Sequence, residues 1–192
     1  HDIKMLLILG IFNYLKTNTM KKLLLVLLFI PLVSFGQELF KAVLAQKAKD
    51  YMLMGSERMV LEDDEGAMAN YNKAIELVPD YAVAYALRGI LKRTLEDYEG
   101  AIADYTKAIE LNRDYADAYA NRAFSKFKLE DYYGAITDFT KAIELNPNSS
   151  EAYYNRGLAK YSLDDINGAC SDVKKSVNLG WDDSQDFIGK VC

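Results

Sequence analysis

Histidine is all but missing from this chain: of 192 residues the only one is His1. Histidine is the commonest general base at neutral pH and the commonest metal ligand. Its scarcity removes Ser-His-Asp and Cys-His catalysis together. Cysteine is nearly as rare, Cys170 and Cys192 being the only two, so no CxxC pair exists. The chain also lacks a phosphate-cradling glycine loop, an HExxH helix and a nucleophile elbow. Carboxylates are abundant, but they fall in short polar turns where nothing raises a pKa for acid–base work. The inventory points away from an enzyme, and no cofactor, metal or small-molecule substrate is expected.

The chain carries 23 basic and 28 acidic residues, a formal net charge of −5. Its first 36 residues differ from the rest. Met20 opens a charged n-region with Lys21 and Lys22, followed by the apolar run from Leu23 to Val33 and then Ser34-Phe35-Gly36. This is the order of a secretory signal peptide, with the mature chain starting near Gln37. The run is short of the roughly 20 apolar residues a membrane span needs. A second apolar stretch, Met5 to Phe12, reads as translated leader. A signal anchor built from both stretches is the competing reading. Removing residues 1–36 takes away four lysines and one aspartate, leaving 156 residues with 19 basic and 27 acidic side chains, net −8. That acidity disfavours nucleic acid and anionic membrane as partners. Export would also favour a Cys170–Cys192 disulfide over two separate thiols, worth about 3 kcal/mol in the chain-entropy account.

What is there in quantity is a period of 34 residues. Gly66, Gly100, Gly134 and Gly168 share one column, each followed by alanine, and Leu77, Leu111, Leu145 and Leu179 stand eleven residues after them. A fixed period means one supersecondary unit stacked against copies of itself. The first half of each unit, such as Ala116 to Leu129, has no proline, and an acidic break follows: Glu96-Asp97, Glu130-Asp131, Asp164-Asp165. Asp97, Asp131 and Asp165 sit where an N-cap is wanted. The second half, Gly134 to Leu145, places Ala135, Phe139, Ala142 and Ile143 on one helical face. Pro79 and Pro147 mark exit turns. Each unit is therefore expected to be an αα-hairpin, with the glycine column at its close-packed seam.

Small residues recur at Gly55, Gly89, Ala123 and Gly157, while Tyr85, Tyr119, Tyr153, Tyr71, Tyr105 and Phe139 fill the space between helices. In this pattern the chain resembles the tetratricopeptide repeat. The last unit reads Tyr153, Arg156-Gly157, Lys160, Ala169, Val173, Ser176 and Trp181. It departs from the family pattern where Tyr stands for Trp, Arg for Leu, and Lys for the second aromatic. The resemblance implies an all-α fold, a right-handed αα-superhelix or solenoid of four helix-turn-helix repeats with a C-terminal capping helix. The units are 48–81, 82–115, 116–149 and 150–183, flanked by an N-terminal helical segment at 37–47 and a cap at 184–192.

Arg88, Arg122 and Arg156 occur in the same three units as Asp104, Asp138 and Asp172, whereas the first unit has Met54 and Asn70. Loss of both members together predicts a scaffold ion pair between the two helices, rather than a ligand site. Exchanging the charges, Arg122→Asp with Asp138→Arg, should then restore part of what either change loses.

The columns that vary most lie on one stripe of the first helix. In proteins similar to this one that stripe lines a concave groove for a peptide. Here it offers Leu87, Ile90, Phe124, Phe127, Leu158 and Tyr161 beside the carboxamides Asn121 and Asn155. Asparagine can donate to and accept from a peptide backbone at once. Burial of Ile90, Phe124 and Leu158 by the neighbouring unit is the competing reading. The columns lack a Lys/Asn/Asn/Lys/Arg set, so a clamp on a peptide C-terminus is not supported. The acidic turns, densest at Glu62-Asp63-Asp64-Glu65, read as caps on a solvated edge rather than a cation site. The expected function is a non-catalytic scaffold binding a protein or peptide in the groove, with the bacterial periplasm, cell surface or exterior as its place. The alternative is a structural adaptor of an envelope assembly, acting through other surfaces or by self-association.

Overall fold

The acidic breaks become the corners of the fold. In a computed structural model, residues 19–181 and 184–192 are described, with side chains for 36–181 and 187–192. The leader reading for residues 1–18 lies outside the described residues, as do Asp182 and Asp183 ahead of the cap. The chain divides into two units, residues 1–46 and 47–192. Its elements are α1 (Thr19–Val60), α2 (Asp64–Leu77), α3 (Ala82–Thr94), α4 (Tyr98–Leu111), α5 (Ala116–Lys128), α6 (Tyr132–Leu145), α7 (Ser150–Tyr161), α8 (Ile166–Asn178) and α9 (Ser184–Val191). The described residues contain helices and turns and no strand. Successive helices from α3 to α8 pack as pairs, α3 on α4, α5 on α6 and α7 on α8, and each pair stacks on the next. This is the all-α solenoid the period implied.

One corner explains the rest. After α3, Glu96 adopts the left-handed conformation at φ 61, its N–H donates to the Arg93 carbonyl at 3.1 Å, and the Asp97 N–H donates to the Lys92 carbonyl at 2.9 Å. These two bonds form a Schellman motif, which satisfies carbonyls left over at the helix end. Asp97 then serves the next helix: its carboxylate accepts from the Gly100 N–H at 2.9 Å. One aspartate therefore closes α3 and caps α4, so the corner is short. Glu62, Glu130 and Asp164 repeat the conformation at φ 58, 62 and 61, and Asp63, Asp131 and Asp165 repeat the cap.

The glycine column has a different cause from the seam expected of it. A Cβ at Gly66, Gly100, Gly134 or Gly168 would fall within van der Waals contact of the capping aspartate's own carboxylate. The column is empty because the cap carboxylate swings over it. The close seam lies elsewhere, at Gly89, where an added Cβ would meet Tyr105 Cε1 at 2.8 Å, and at the equivalent Gly55 against Tyr71.

The exit turns use other chemistry. Asn112 and Asn146 each accept from the backbone two residues on, at 3.1 and 3.3 Å, and Ser149 caps α7 through the Ala152 N–H. Inside each pair the largest buried side chain is the same column: Tyr71, Tyr105, Phe139 and Val173, none more than 1% exposed. The core is a string of small clusters rather than one centre. Ala86, Ala108, Ile109 and Ala118 make one, and Ala123, Ala135, Phe139, Ile143, Ala152 and Ala159 another.

An ionic ladder crosses the pairs, as the shared Arg and Asp columns predicted. Arg122 forks onto Asp138 with Nε and Nη2 at 2.8 and 2.7 Å, and the other two pairs repeat the geometry. The structure adds two further members. Lys126 Nζ lies 2.8 Å from the same carboxylate, and Arg122 Nη1 donates to Thr106 Oγ1 of the preceding pair at 3.0 Å. Each rung therefore binds three helices. At the far end Cys170 and Cys192 form a disulfide with Cα atoms 5.2 Å apart, which fastens α9 to α8.

Candidate binding groove

Four of the eight stripe residues meet in one place. Ile90 on α3, Asn121 and Phe124 on α5, and Asn155 on α7 line a single cleft of about 280 Å³. The other four stand apart from it. Leu87 packs against Tyr71 and Leu91 towards the preceding unit. Phe127 packs on the Ala123–Phe139 cluster and meets Tyr132 edge-on at 5.5 Å. Leu158 is half-buried outside the cleft, and Tyr161, 42% exposed, is met edge-on by Phe187 of α9 at 5.3 Å. Phe124 does both jobs weighed from sequence, since it lines the cleft and packs against the same core cluster.

Three successive first helices build the cleft because stacking repeats their faces at one register. Among the wall residues Ala118 and Ala152 share one column and Ala86 and Ala120 another, and their small side chains leave the space open. Asn121 uses one amide N–H on the Asp117 carbonyl at 2.8 Å, a bond back to its own helix. Its carbonyl oxygen is thus the group offered to a ligand. The Asn155 carboxamide, one unit on, makes no hydrogen bond among the described residues.

Sequence reasoning missed Arg93, whose column holds Met59, Phe127 and Tyr161 in other units and so looked merely variable. Arg93 lines the cleft, with its guanidinium over the Phe124 ring at 5.1 Å. Cation–π stacking of this kind contributes about 1 kcal/mol and fixes the plane of the charge. Asp117 and Glu151 lie at the rim, both exposed. Behind the wall, burial pushes the Tyr105 hydroxyl up to about 12, with the Arg93 charge opposing the rise. The cleft thus holds apolar floor, two carboxamides and one cation. That set suits recognition of a polar backbone and a charged side chain. The described residues contain no cluster of three metal-ligating side chains, and no helix among them is long and apolar enough to cross a membrane.

Comparison with known proteins bears on the whole array. The family model for the TPR repeat matches residues 91–130 and 125–164. A search of curated protein sequences gave no match. Among solved structures, a crystal structure of MamA superposes with a TM-score of 0.71 at 24% identity, covering 76% of this chain and 81% of that one. The first TPR of Spaghetti (RPAP3), bound to the HSP90 peptide SRMEEVD, gives 0.61 at 27% identity, covering 62% of this chain and 94% of that one. The Arabidopsis OM64 TPR domain gives 0.60 at 23% identity, covering 62% and 98%. The stacked pairs, the repeat model matching residues 91–164 and these neighbours agree on TPR repeats, a fold that suggests a protein–protein interaction scaffold.

Proposed function

We propose that the chain is a non-catalytic scaffold that holds an extended protein segment across the cleft of α3, α5 and α7. One observation carries this reading. Asn121 and Asn155, alike in column and one unit apart, face a cleft floored by Ile90 and Phe124. Carboxamides repeated at the solenoid's spacing match a backbone whose amides also repeat, and an apolar floor takes the intervening side chains. A relative of the same fold, the RPAP3 repeat domain, is bound to a peptide, which supports the mode. The test uses a library of random nonapeptides, blocked at both ends, on the immobilised chain. Asn121→Ala with Asn155→Ala should lower the retained peptide about tenfold while thermal unfolding stays within 2 °C, two lost polar contacts being worth about that much. Equal retention by the double variant would remove the cleft as the binding site.

Adaptor behaviour remains the second reading, because Leu39, Phe40 and Val43 of α1 are 58%, 63% and 56% exposed. Exposed apolar side chains clustered on one helix suit a partner or a second copy. Light scattering separates the two, a monomer at micromolar concentration opposing self-association. Export is supported by the n-region, apolar run and small residues before Gln37, and by a disulfide that an oxidising compartment would preserve. Sequencing the N-terminus of the protein from its own cells tests it, since Gln37 should then be the first residue.

A further inference from the structure

Two buried polar atoms beside the cleft make no well-aligned hydrogen bond. The Tyr105 hydroxyl and Arg93 Nε are both shielded from solvent, and the polar group beside the phenol is the Arg93 guanidinium itself. The neighbouring units resolve the same position differently. In the unit before, the Tyr71 hydroxyl donates to Met59 Sδ at 3.2 Å and lies 3.2 Å from Ser56 Oγ. In the unit after, Phe139 has no hydroxyl at all. Only the middle unit keeps the hydroxyl while Ile90 stands in the column of Ser56 and Arg93 in that of Met59, so a cation replaces both earlier partners. Placing a half-buried charge where a thioether and a hydroxyl serve the unit before calls for an explanation.

Arg93 is also exceptional among the helix arginines. Arg58, Arg88, Arg122 and Arg156 each hold an aspartate. Arg93 has no ion pair among the described residues, although it is half-buried, stacked on Phe124 and set in the cleft wall. A guanidinium held in one plane with a free fork accepts a carboxylate better than any other common group. We propose that Arg93 is a specificity-determining residue of the groove and reads an aspartate or glutamate side chain of the bound segment. The inference rests on the groove reading, in which Asn121 and Asn155 hold that segment's backbone. A segment held by two successive units runs past Arg93, so the charge comes from a side chain rather than a chain end. Asp117 and Glu151 at the rim repel a polyacidic segment and favour one acid flanked by basic residues.

The experiment uses the full chain and three fluorescein-labelled nonapeptide pools with blocked termini. Their central residue is Glu, Gln or Lys, their neighbours on either side are Lys, and the remaining positions are random. The wild type should bind the Glu pool about tenfold more tightly than the Gln pool and reject the Lys pool, an ionic hydrogen bond being worth that factor or more. Arg93→Gln should abolish the difference between Glu and Gln. Arg93→Lys, which keeps charge but loses the fork, should retain part of it. Retained Asn121 and Asn155 dependence with no preference for Glu would overturn the role of Arg93 and leave the groove reading standing. Binding unaffected by Asn121→Ala with Asn155→Ala, or no binding of any pool, would overturn both. A fourth pool, with central Gln and a free C-terminal carboxylate, adds a further check. Binding of it as tight as the Glu pool would show that the site reads a chain end, and would overturn the proposal.

Discussion

The capping aspartate and the glycine three residues on are one device. Alanine in a helix is ordinarily favoured over glycine by about 1 kcal/mol, yet at Gly134 the Cβ would strike the Asp131 carboxylate. Displacing that carboxylate loses a cap worth about 1 kcal/mol. The two effects offset, so Gly134→Ala should leave stability nearly unchanged in the native background. With Asp131→Ala already present there is no carboxylate to strike, and the same change should stabilise by about 1 kcal/mol. Urea denaturation of the four chains checks this, and equal effects in both backgrounds would refute the coupling. Tyr105 gives a second prediction at this scale. Its phenol, ordinarily near 10, titrates at about 12 in the folded chain because burial disfavours the ionised form. Between those pH values only the unfolded state gives up the proton, so stability is intact below pH 10 and falls through pH 12. A shift of that size corresponds to about 2–3 kcal/mol. Tyr105→Phe should remove this component and cost under about 1 kcal/mol at pH 7, since the hydroxyl makes no well-aligned hydrogen bond and has only the Arg93 guanidinium beside it. Stability measured at pH 7, 10 and 11.5 decides it.

At the scale of helices, the Arg–Asp columns were readable because both members vanish together in the first unit. What sequence could not supply was the company they keep. Lys160 looked like a departure from the family's aromatic column; in the structure it is the second cation on Asp172, at 2.7 Å. That changes the charge-exchange test. Arg122→Asp with Asp138→Arg would set an arginine against Lys126, which now lies 2.8 Å from the Asp138 carboxylate. The double exchange should therefore remain at least as unstable as Asp138→Ala alone. That single change is expected to cost about 3–5 kcal/mol, because two cations are left at a site where the lost aspartate was 4% exposed. Adding Lys126→Met to the double exchange should recover about 1 kcal/mol or more by removing the like charge. No recovery in thermal unfolding would show that Lys126 is not the obstacle.

Across the whole molecule, the period carried the architecture, since helix faces, N-caps and exit turns repeat at positions a single sequence exposes. The cleft was less legible. Which stripe residues meet depends on how each side chain is directed between stacked units: all four are half-buried, but Leu87 and Phe127 pack on core clusters whereas Asn121 and Asn155 line the cleft. Arg93 was hidden for the same reason: its significance comes from its neighbours in other helices, Phe124 under its guanidinium and the Tyr105 phenol beside it. The C-terminal helix raises the last question of scale. Eight residues are too few for a helix to persist alone in water, and α9 is held by Val191 against Ala169 and Val173, by Phe187 against Tyr154 and Tyr161, and by the disulfide. Reduction should release about 3 kcal/mol of that constraint. In a solenoid each unit is coupled mainly to its neighbours, so the loss should stay local. Trp181, the only tryptophan, stacks near Tyr154 at 6.1 Å and reports on the region. After reduction its fluorescence should shift red at a lower urea concentration than the loss of helical circular dichroism. With the disulfide intact the two transitions should lie closer together. If reduction moves both midpoints equally, the array unfolds as one body, and α9 is part of its cooperative core rather than a cap at its end.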